Sequence, residues 1–374
     1  MRGPDQMKPE FCMPRGIENC LSPGILIDAD CVAGNIQKML STVAGDTSRL
    51  RPHVKTHKMA NVIRMQVNSG IKKFKAATVS EANMIAQNGG QDVLLAYQPV
   101  GPNIPLLTTL IQKYPDISFA TIVDHKDTVN QLASQMRHAG LNLRVLIDVD
   151  CGMHRTGIPF GNSLHRLREQ IEKQIGLEYA GLHVYDGHLH QPAVETRQYE
   201  TEKIIQQVVA YDQEHTAVNV VGGGSPTFNF WAESTSWECS PGTTLLWDMG
   251  YATAFSELPY EISVALLTRV ISKPGKNLFC VDCGYKAVAS EMPLKNRLTV
   301  IGMDDVEIIS HSEEHMVLTS SKAETLQLGQ PLLTFPRHVC PTMALHDDAA
   351  IIRQGEVHSE RWTVTARNRP LIQS

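Results

Sequence analysis

The sequence predicts an α/β protein in two parts, a parallel (β/α)8 TIM barrel followed by a mainly antiparallel β domain. Three observations predict it. From about residue 25 to 225, short apolar runs alternate with segments of helical period, one pair every 25–30 residues or so. After about residue 240 the helical period stops, and β-like runs with turn-rich joints replace it. The chain has 374 residues, 42% hydrophobic and 20% charged, an ordinary globular composition with room for both parts. The expected boundaries are 25–240 for the barrel and 241–374 for the β domain, with 1–24 packed on the latter. A doubly wound open sheet is the alternative for the first part.

ILIDAD (25–30) reads as the first barrel strand, and CVAGNIQKMLSTVAG (31–45) as its helix. LRPHVK follows as a strand, then the helix-like MANVIRMQVNSG and the strand FKAAT (74–78). VSEANMIAQNGG has an early Ser-Glu and a Gly-Gly stop, both helix signals. DVLLAY (92–97), SFATIVD (118–124), LRVLIDVD (143–150), GLEYAGLHVY and AVNVVGGG (217–224) continue the strands. Their helices are NIPLLTTLIQKY, one opening at His125, SLHRLREQIEKQIG, and a long one from about Glu195 to His215. In the second part LLWDMGYA, ISVALLTRVIS, NLFCVDCG, LTVIGMDDVEII, HMVLTS, PLLTF, AAIIRQGEV and WTVTAR read as strands.

Bulk properties exclude several classes. The net charge is −5 and no Lys/Arg run suggests a nucleic-acid surface. No stretch approaches the ~18 apolar residues of a membrane span, and the N-terminus lacks the apolar core of a signal peptide. A soluble cytoplasmic protein is expected. The eight cysteines are too scattered for a disulfide framework. Cys280 and Cys283 form a CxxC, but they lie in a strand-like run with no second pair and no helix directly after, so ordinary buried thiols are expected.

RLRPHVKTHK (49–58) crowds Arg49, Arg51, His53, Lys55, His57 and Lys58 into one strand-like segment. In a barrel, the C-terminal ends of the strands face the active site. Lys55 falls at such an end, where desolvation and the neighbouring Arg51, His53 and His57 would make its amine a nucleophile; the alternative is a solvated surface lysine. At the end of another strand, DVDCGMHRTGI (148–158) offers Arg155 as a donor to an anionic oxygen, or as a structural ion pair. GLHVYDGHLH (181–190) places His183 and Tyr185 on one strand face, with His188 and His190 after the turn. These histidines suit polar lining better than a metal cluster. VVGGGSPT (220–227) is a glycine-rich loop after a late barrel strand, where backbone N–H groups can cradle phosphate; in isolation it would be a plain turn. His338 and Cys340 in PRHVCPT would point the same way on a strand and form a zinc-type ligand pair, or a core thiol beside a surface imidazole. HSEEH (311–315) would pair its histidines only on a helix, which the flanking β pattern opposes.

RPHVKTHK resembles the lysine segment of the D-threonine aldolase and D-serine dehydratase family, and the resemblance runs through nearly the whole chain in order. The family consists of pyridoxal 5'-phosphate (PLP) enzymes built like alanine racemase (fold type III), a PLP barrel plus a β domain. The resemblance implies that Lys55 holds PLP as a Schiff base. It implies that Arg155 meets the ring hydroxyl and that Tyr185 approaches the ring. Gly223, Gly224 and Ser225 resemble one phosphate loop, and Gly242 and Thr243 of SPGTTLLWD resemble the second. The family commonly has tyrosine where this chain has Thr244, which removes a phenolic contact.

The family places its divalent metal at the His338 position, with His-x-Cys in dehydratase-like members and His-x-Asp in aldolase-like ones. Zinc or manganese is therefore expected on His338 and Cys340. The cysteine resembles the dehydratases, whereas Pro341–Thr342 and the texture after Phe335 resemble the aldolases. The implied activity is that of a lyase on small β-hydroxy-D-amino acids, foremost D-threonine aldolase. The alternative is a D-serine dehydratase-like ammonia-lyase. A racemase has no use for a hydroxyl-directed metal, and a non-catalytic PLP-homeostasis protein resembles the barrel alone. Homodimers with sites near the subunit interface are implied.

Overall fold

The computed structural model describes residues 11–214 and 219–369. Parts of the expectations for 1–24, for the helix end at His215 and for 217–224 lie outside these residues. Two compact units divide the chain. One takes the residues up to Lys38, Thr56–Lys58 and Thr243–Arg367; the other takes Met39–Lys55 and Met59–Gly242.

Among the described residues the first strand is β1 (Gly24–Asp28), followed by α1 (Ala29–Thr42). After α2 (Ala60–Asn68), seven strands form one parallel sheet in chain order: β2 (Lys73–Ala76), β3 (Asp92–Leu95), β4 (Ser118–Val123), β5 (Leu143–Val149), β6 (Leu177–Val184), β7 (Val220–Gly222) and β8 (Glu238–Cys239). The helices between them are α3 (Val79–Gln87), α4 (Asn103–Lys113), α5 (Lys126–Ala139), α6 (Asn162–Glu172), α7 (Val194–Glu214) and α8 (Phe228–Ser234). The cap of α3 is Thr78 rather than Ser80: its hydroxyl accepts from Glu81 N–H, and Glu81 accepts from Ala77 N–H, a reciprocal box.

LRPHV is not a regular strand, yet it closes the ring. Arg51 N–H donates to Cys239 O and His53 N–H to Pro241 O on one side; on the other, Val54 N–H donates to Lys75 O and Lys75 N–H donates to Pro52 O. Proline at 52 and a turn starting at Val54 keep it too short for a ladder. The barrel interior is layered. At the N-terminal end of the strands, Arg51 pairs with Asp92 (2.8 Å) and Glu238 (2.6 Å), while Arg144 and Lys73 each pair with one of those carboxylates at 2.6 Å. Above lies an apolar layer of Leu94, Ala120, Ile122, Leu146 and Val221. The polar residues described below follow at the C-terminal rim.

ILIDAD is not a barrel strand. β1 pairs parallel with β15 (Asp348–Arg353) and antiparallel with β9 (Val264–Gly275) in the other unit. Periodicity reports a strand buried on both faces but not the sheet it joins, and β8, only two residues long, has no period to read. The rest of the mixed sheet is β10 (Leu278–Val281), β11 (Leu298–Val300), β12 (Glu307–His311), β13 (Met316–Thr319), β14 (Pro331–Pro336) and β16 (Glu356–Thr363), in the order β12-β13-β10-β9-β1-β15-β16, with β14 joining β9 and β11. All its pairings except β1 with β15 are antiparallel. LLWDMGYA is not a strand either: Asp248 caps a short helix, α9 (Met249–Ala254), by accepting from Tyr251 N–H at 2.9 Å. Among the described residues no helix is long and apolar enough to cross a membrane.

Candidate active site

The parallel strands all end on one rim, and the turn after LRPHV brings Lys55 there. The turn is tight: Lys55 N–H donates to the His53 ring at 3.3 Å. From the loop after β6 comes Tyr185, half-buried, and three cations approach its ring. Lys55 Nζ lies 5.6 Å from the ring centre, Lys75 Nζ 5.5 Å and the Arg155 guanidinium carbon 5.2 Å. Lys55, Arg155 and Tyr185, which the sequence singles out separately, thus meet around one aromatic plane. Arg155, Tyr185, Asp148 and Met153 also line a cleft.

Lys75 was not anticipated. It is buried, with Nζ 3.5 Å from His183 Nε2, and His183 Nδ1 is 2.7 Å from Asp148 Oδ1. Burial and the nearby Lys55 charge pull the Lys75 amine down to about 7, with Asp148 and Asp186 opposing the fall. Burial keeps His183 below its ordinary value despite the Asp148 carboxylate. Burial, then the Lys55 and Lys75 charges, hold His53 well below the imidazole range. Of the cations expected around Lys55, Arg51 is committed to the ion layer at the other end of the strands. His188 and His190 follow the turn after β6; among the described residues no group of three or more His, Cys, Asp or Glu side chains gathers as a metal cluster would.

The glycine loop after β7 is held closely. Gly223 has φ +74°, and a side chain there would meet Trp231 Cδ1 at 3.0 Å and the Phe228 backbone at 3.1 Å. Gly224 N–H donates to Thr227 Oγ1 (3.0 Å), and Gly242 N–H donates to Ser225 Oγ (3.1 Å). The two segments expected to hold phosphate are therefore hydrogen-bonded to each other through Ser225 and Gly242. Beside them Asp186 accepts from Trp231 Nε1 at 2.9 Å; burial raises its carboxyl, and its other oxygen has no partner among the described residues.

In the other unit, His338 and Cys340 do not lie on a strand. β14 ends at Pro336, His338 caps a short helix, α10 (Val339–Met343), and Cys340 sits in its first turn. The buried Asp248 forces the turn by accepting from Val339 N–H at 3.0 Å. The side chains still come within hydrogen-bonding reach. Burial opposes it, but the Cys340 sulfur raises His338 to about 9. Burial alone would raise the Cys340 thiol, and His338 brings it below its ordinary value. Glu291 Oε1 lies 2.7 Å from His338 Nδ1, which leaves Nε2 for the sulfur or for a metal, as in carboxylate–histidine–metal arrangements. Thr56 Oγ1 and Thr243 Oγ1 lie 3.2 and 3.6 Å from Cys340 Sγ. Thr243 thus reaches the thiol with its side chain, a contact the sequence did not suggest. Cys280 and Cys283 are free and buried, and HSEEH forms the end of β12 and the turn to β13.

Residues 27–248, more than half of the chain, match the family model described as alanine racemase, N-terminal domain. The chain belongs to the alanine racemase N-terminal domain family. A second model, described as a putative serine dehydratase domain, matches residues 263–352. Within this family the chain is similar to a D-threonine aldolase of Arthrobacter sp, 27% identical over 356 residues and covering 92% of each chain. It is also similar to a 3-hydroxy-D-aspartate aldolase of Paracoccus denitrificans (strain Pd 1222), 28% identical over 367 residues, covering 93% of this chain and 92% of the relative. Among solved structures, D-threonine aldolase from Filomicrobium marinum superposes with a TM-score of 0.85 at 27% identity, covering 94% of this chain and 97% of that one. The fold is alanine racemase-like, and the chain falls in the D-threonine aldolase and D-serine dehydratase-like branch.

The family implies PLP, and the rim residues fit it chemically. PLP carries a phosphate and a phenolic oxygen and needs an amine. The barrel rim offers the Lys55 amine, the exposed Arg155 guanidinium and a half-buried aromatic face, with a further cation in Lys75. Three cations around one ring call for an anion. The donors at His338 and Cys340, one nitrogen and one sulfur with a carboxylate behind the imidazole, suit a borderline-soft divalent ion such as zinc.

Proposed function

We propose that this protein is a PLP- and divalent-metal-dependent lyase that cleaves β-hydroxy-D-amino acids to glycine and an aldehyde, a D-threonine aldolase-type reaction. The observation that carries the reading is the meeting of Lys55 and Arg155 on the Tyr185 ring at the barrel rim. Lys55 is the residue proposed to hold the cofactor covalently. Arg155 would donate to its phenolic oxygen and favour the ionised form, and Tyr185 would supply an aromatic face. Gly223, Gly224, Ser225 and Gly242 form the phosphate loops. His338 and Cys340 are proposed to hold zinc or manganese.

When bound, the cofactor draws electron density from the substrate Cα, and the metal acidifies the substrate's β-hydroxyl. The hydroxyl loses its proton, the Cα–Cβ bond breaks, Cβ leaves as a carbonyl, and Cα takes up a proton to give glycine. Lys55 Nζ, at the barrel rim, would accept or return that proton. Glu291 fixes which His338 nitrogen is left for the metal.

Two observations favour a second reading, a dehydratase yielding a 2-oxo acid and ammonia: Cys340 in place of a carboxylate, and the serine dehydratase domain match. In favour of the aldolase, aldolase relatives are 27 and 28% identical over nearly the whole chain, against 24% for a D-serine dehydratase that also spans it. Incubation with D-threonine and D-serine decides between them. Glycine with acetaldehyde supports the aldolase; 2-oxobutanoate or pyruvate with ammonia transfers the assignment to the dehydratase.

A further inference from the structure

Lys75 stands in β2 beside apolar residues of the next two strands: its pairing partner in β3 is Leu94, and Leu94 pairs with Ala120 in β4. A buried ammonium is costly, and a hydrophobic residue of similar volume there would be neutral or stabilising for the fold. Packing therefore does not account for the lysine. Its surroundings do. Lys75, His183 and Asp148 are each 5% exposed or less, and they form a chain: Nζ to Nε2 at 3.5 Å, then Nδ1 to Oδ1 at 2.7 Å. In the low-cost arrangement the ammonium donates to Nε2 of a neutral imidazole, and Nδ1–H donates to the carboxylate. The far end of Lys75 reaches the Tyr185 ring that Lys55 and Arg155 also approach.

We propose that Lys75 is a positioning residue: braced by the His183–Asp148 pair, it places a removable positive charge at the Tyr185 ring and so sets how tightly the rim holds an anionic cofactor. Its lowered pKa of about 7 makes that charge removable near neutrality. The groups that face it are Lys55, Arg51 and His53 from the closing segment, Asp148 from β5, Arg155 from the loop after β5, and His183, Tyr185 and Asp186 from β6 and its loop. Burial, then the nearby cations, push the amine towards neutrality; Asp148 and Asp186 resist. An anion bound at the rim favours the ammonium, so anion affinity is highest with Lys75 protonated and falls as pH rises through about 7.

The test has two arms on the full-length chain. In the first, the cofactor-free protein carrying 15N-labelled lysine side chains is titrated by NMR. One lysine should titrate near 7. That signal should vanish in Lys75→Met and move to lower pH in Asp148→Asn, which loses the opposing carboxylate. In the second arm, PLP affinity is measured from pH 6.5 to 8.5. Wild type should lose about tenfold or more relative to Lys75→Met, the effect of one unit charge at close range. Lys75→Arg, permanently charged, should stay tight across the range. A lysine signal at the Lys75 position titrating near its ordinary value of about 10.4 overturns the proposal. So does a wild-type pH profile in Lys75→Met. If Lys75→Met does not fold, the wild-type, Asp148→Asn and Lys75→Arg measurements still decide. The proposal rests on Lys55 and Tyr185 bounding the cofactor site, but the cofactor-free titration does not, so failure of one reading is distinguishable from failure of the other.

Discussion

Arg51→Met tests the idea that the ion layer at the barrel seam holds Lys55 in place. Arg51 is 3% exposed and bonds two carboxylates, Glu238 at 2.6 Å and Asp92 at 2.8 Å. Removing one partner of a buried pair costs ~3–5 kcal/mol, because it leaves a charge uncompensated. Here each carboxylate keeps a second cation, Lys73 on Glu238 and Arg144 on Asp92. The expected loss is therefore at the lower end, about 3 kcal/mol at neutral pH. Arg51→Lys keeps the charge but not the two-pronged geometry, and should fall between. The pH dependence has a definite sign. Burial opposes it, but Arg51 and Arg144 hold the Asp92 carboxyl below its ordinary value. The pair's contribution is present above the unfolded carboxylate value of about 3.9 and is lost as pH falls through the lower folded one. The gap between wild type and Arg51→Met should be full at pH 7 and close in acid. Urea unfolding followed by tryptophan fluorescence measures it, with a double-mutant cycle through Glu238→Gln to isolate the pair. PLP content should fall in parallel, since Arg51 lies four residues before Lys55 on the closing segment. A loss below about 0.5 kcal/mol, the range of ordinary surface changes, would refute the reasoning.

The remaining predictions address the site. Borohydride reduction of the holoprotein followed by peptide mapping should place the pyridoxyl label on Lys55; a label on Lys58, Lys75 or Lys286 would show the assignment to be wrong. Arg155→Met should fold normally, because the side chain is exposed, but bind PLP roughly 10- to 100-fold more weakly, the worth of a hydrogen bond to a charged group. Full affinity and an unchanged spectrum would make Arg155 structural only. Chelation should abolish turnover while leaving PLP absorbance and thermal unfolding nearly unchanged, and added metal should restore it in wild type but not fully in Cys340→Ala. Cys340→Asp should shift the preference from zinc towards manganese or magnesium.

Much of the architecture was legible because strands and helices alternate at regular spacing, and the gathering of Lys55, Arg155 and Tyr185 at one rim was legible because each follows an apolar, strand-like run. Three features were not. β1 has the same apolar run as a barrel strand, and nothing local distinguishes pairing with β9 and β15 from pairing within the barrel. His338 and Cys340 follow a genuine strand, but Asp248, some ninety residues earlier, turns them into a helix cap. Lys75 carried a signal that was overlooked. Lys73 and Lys75 alternate with the fully buried Phe74 and Ala76 in a strand that a barrel buries on both faces, so the lysines had to point into the interior.

The most direct test of the proposed chemistry is a proton NMR time course of the PLP- and metal-loaded protein with D-threonine, with L-threonine as the control. The account predicts glycine and acetaldehyde in equal amounts from the D isomer and no comparable reaction of the L isomer. Formation of 2-oxobutanoate and ammonia, or no consumption of D-threonine or of any other β-hydroxy-D-amino acid, would contradict it.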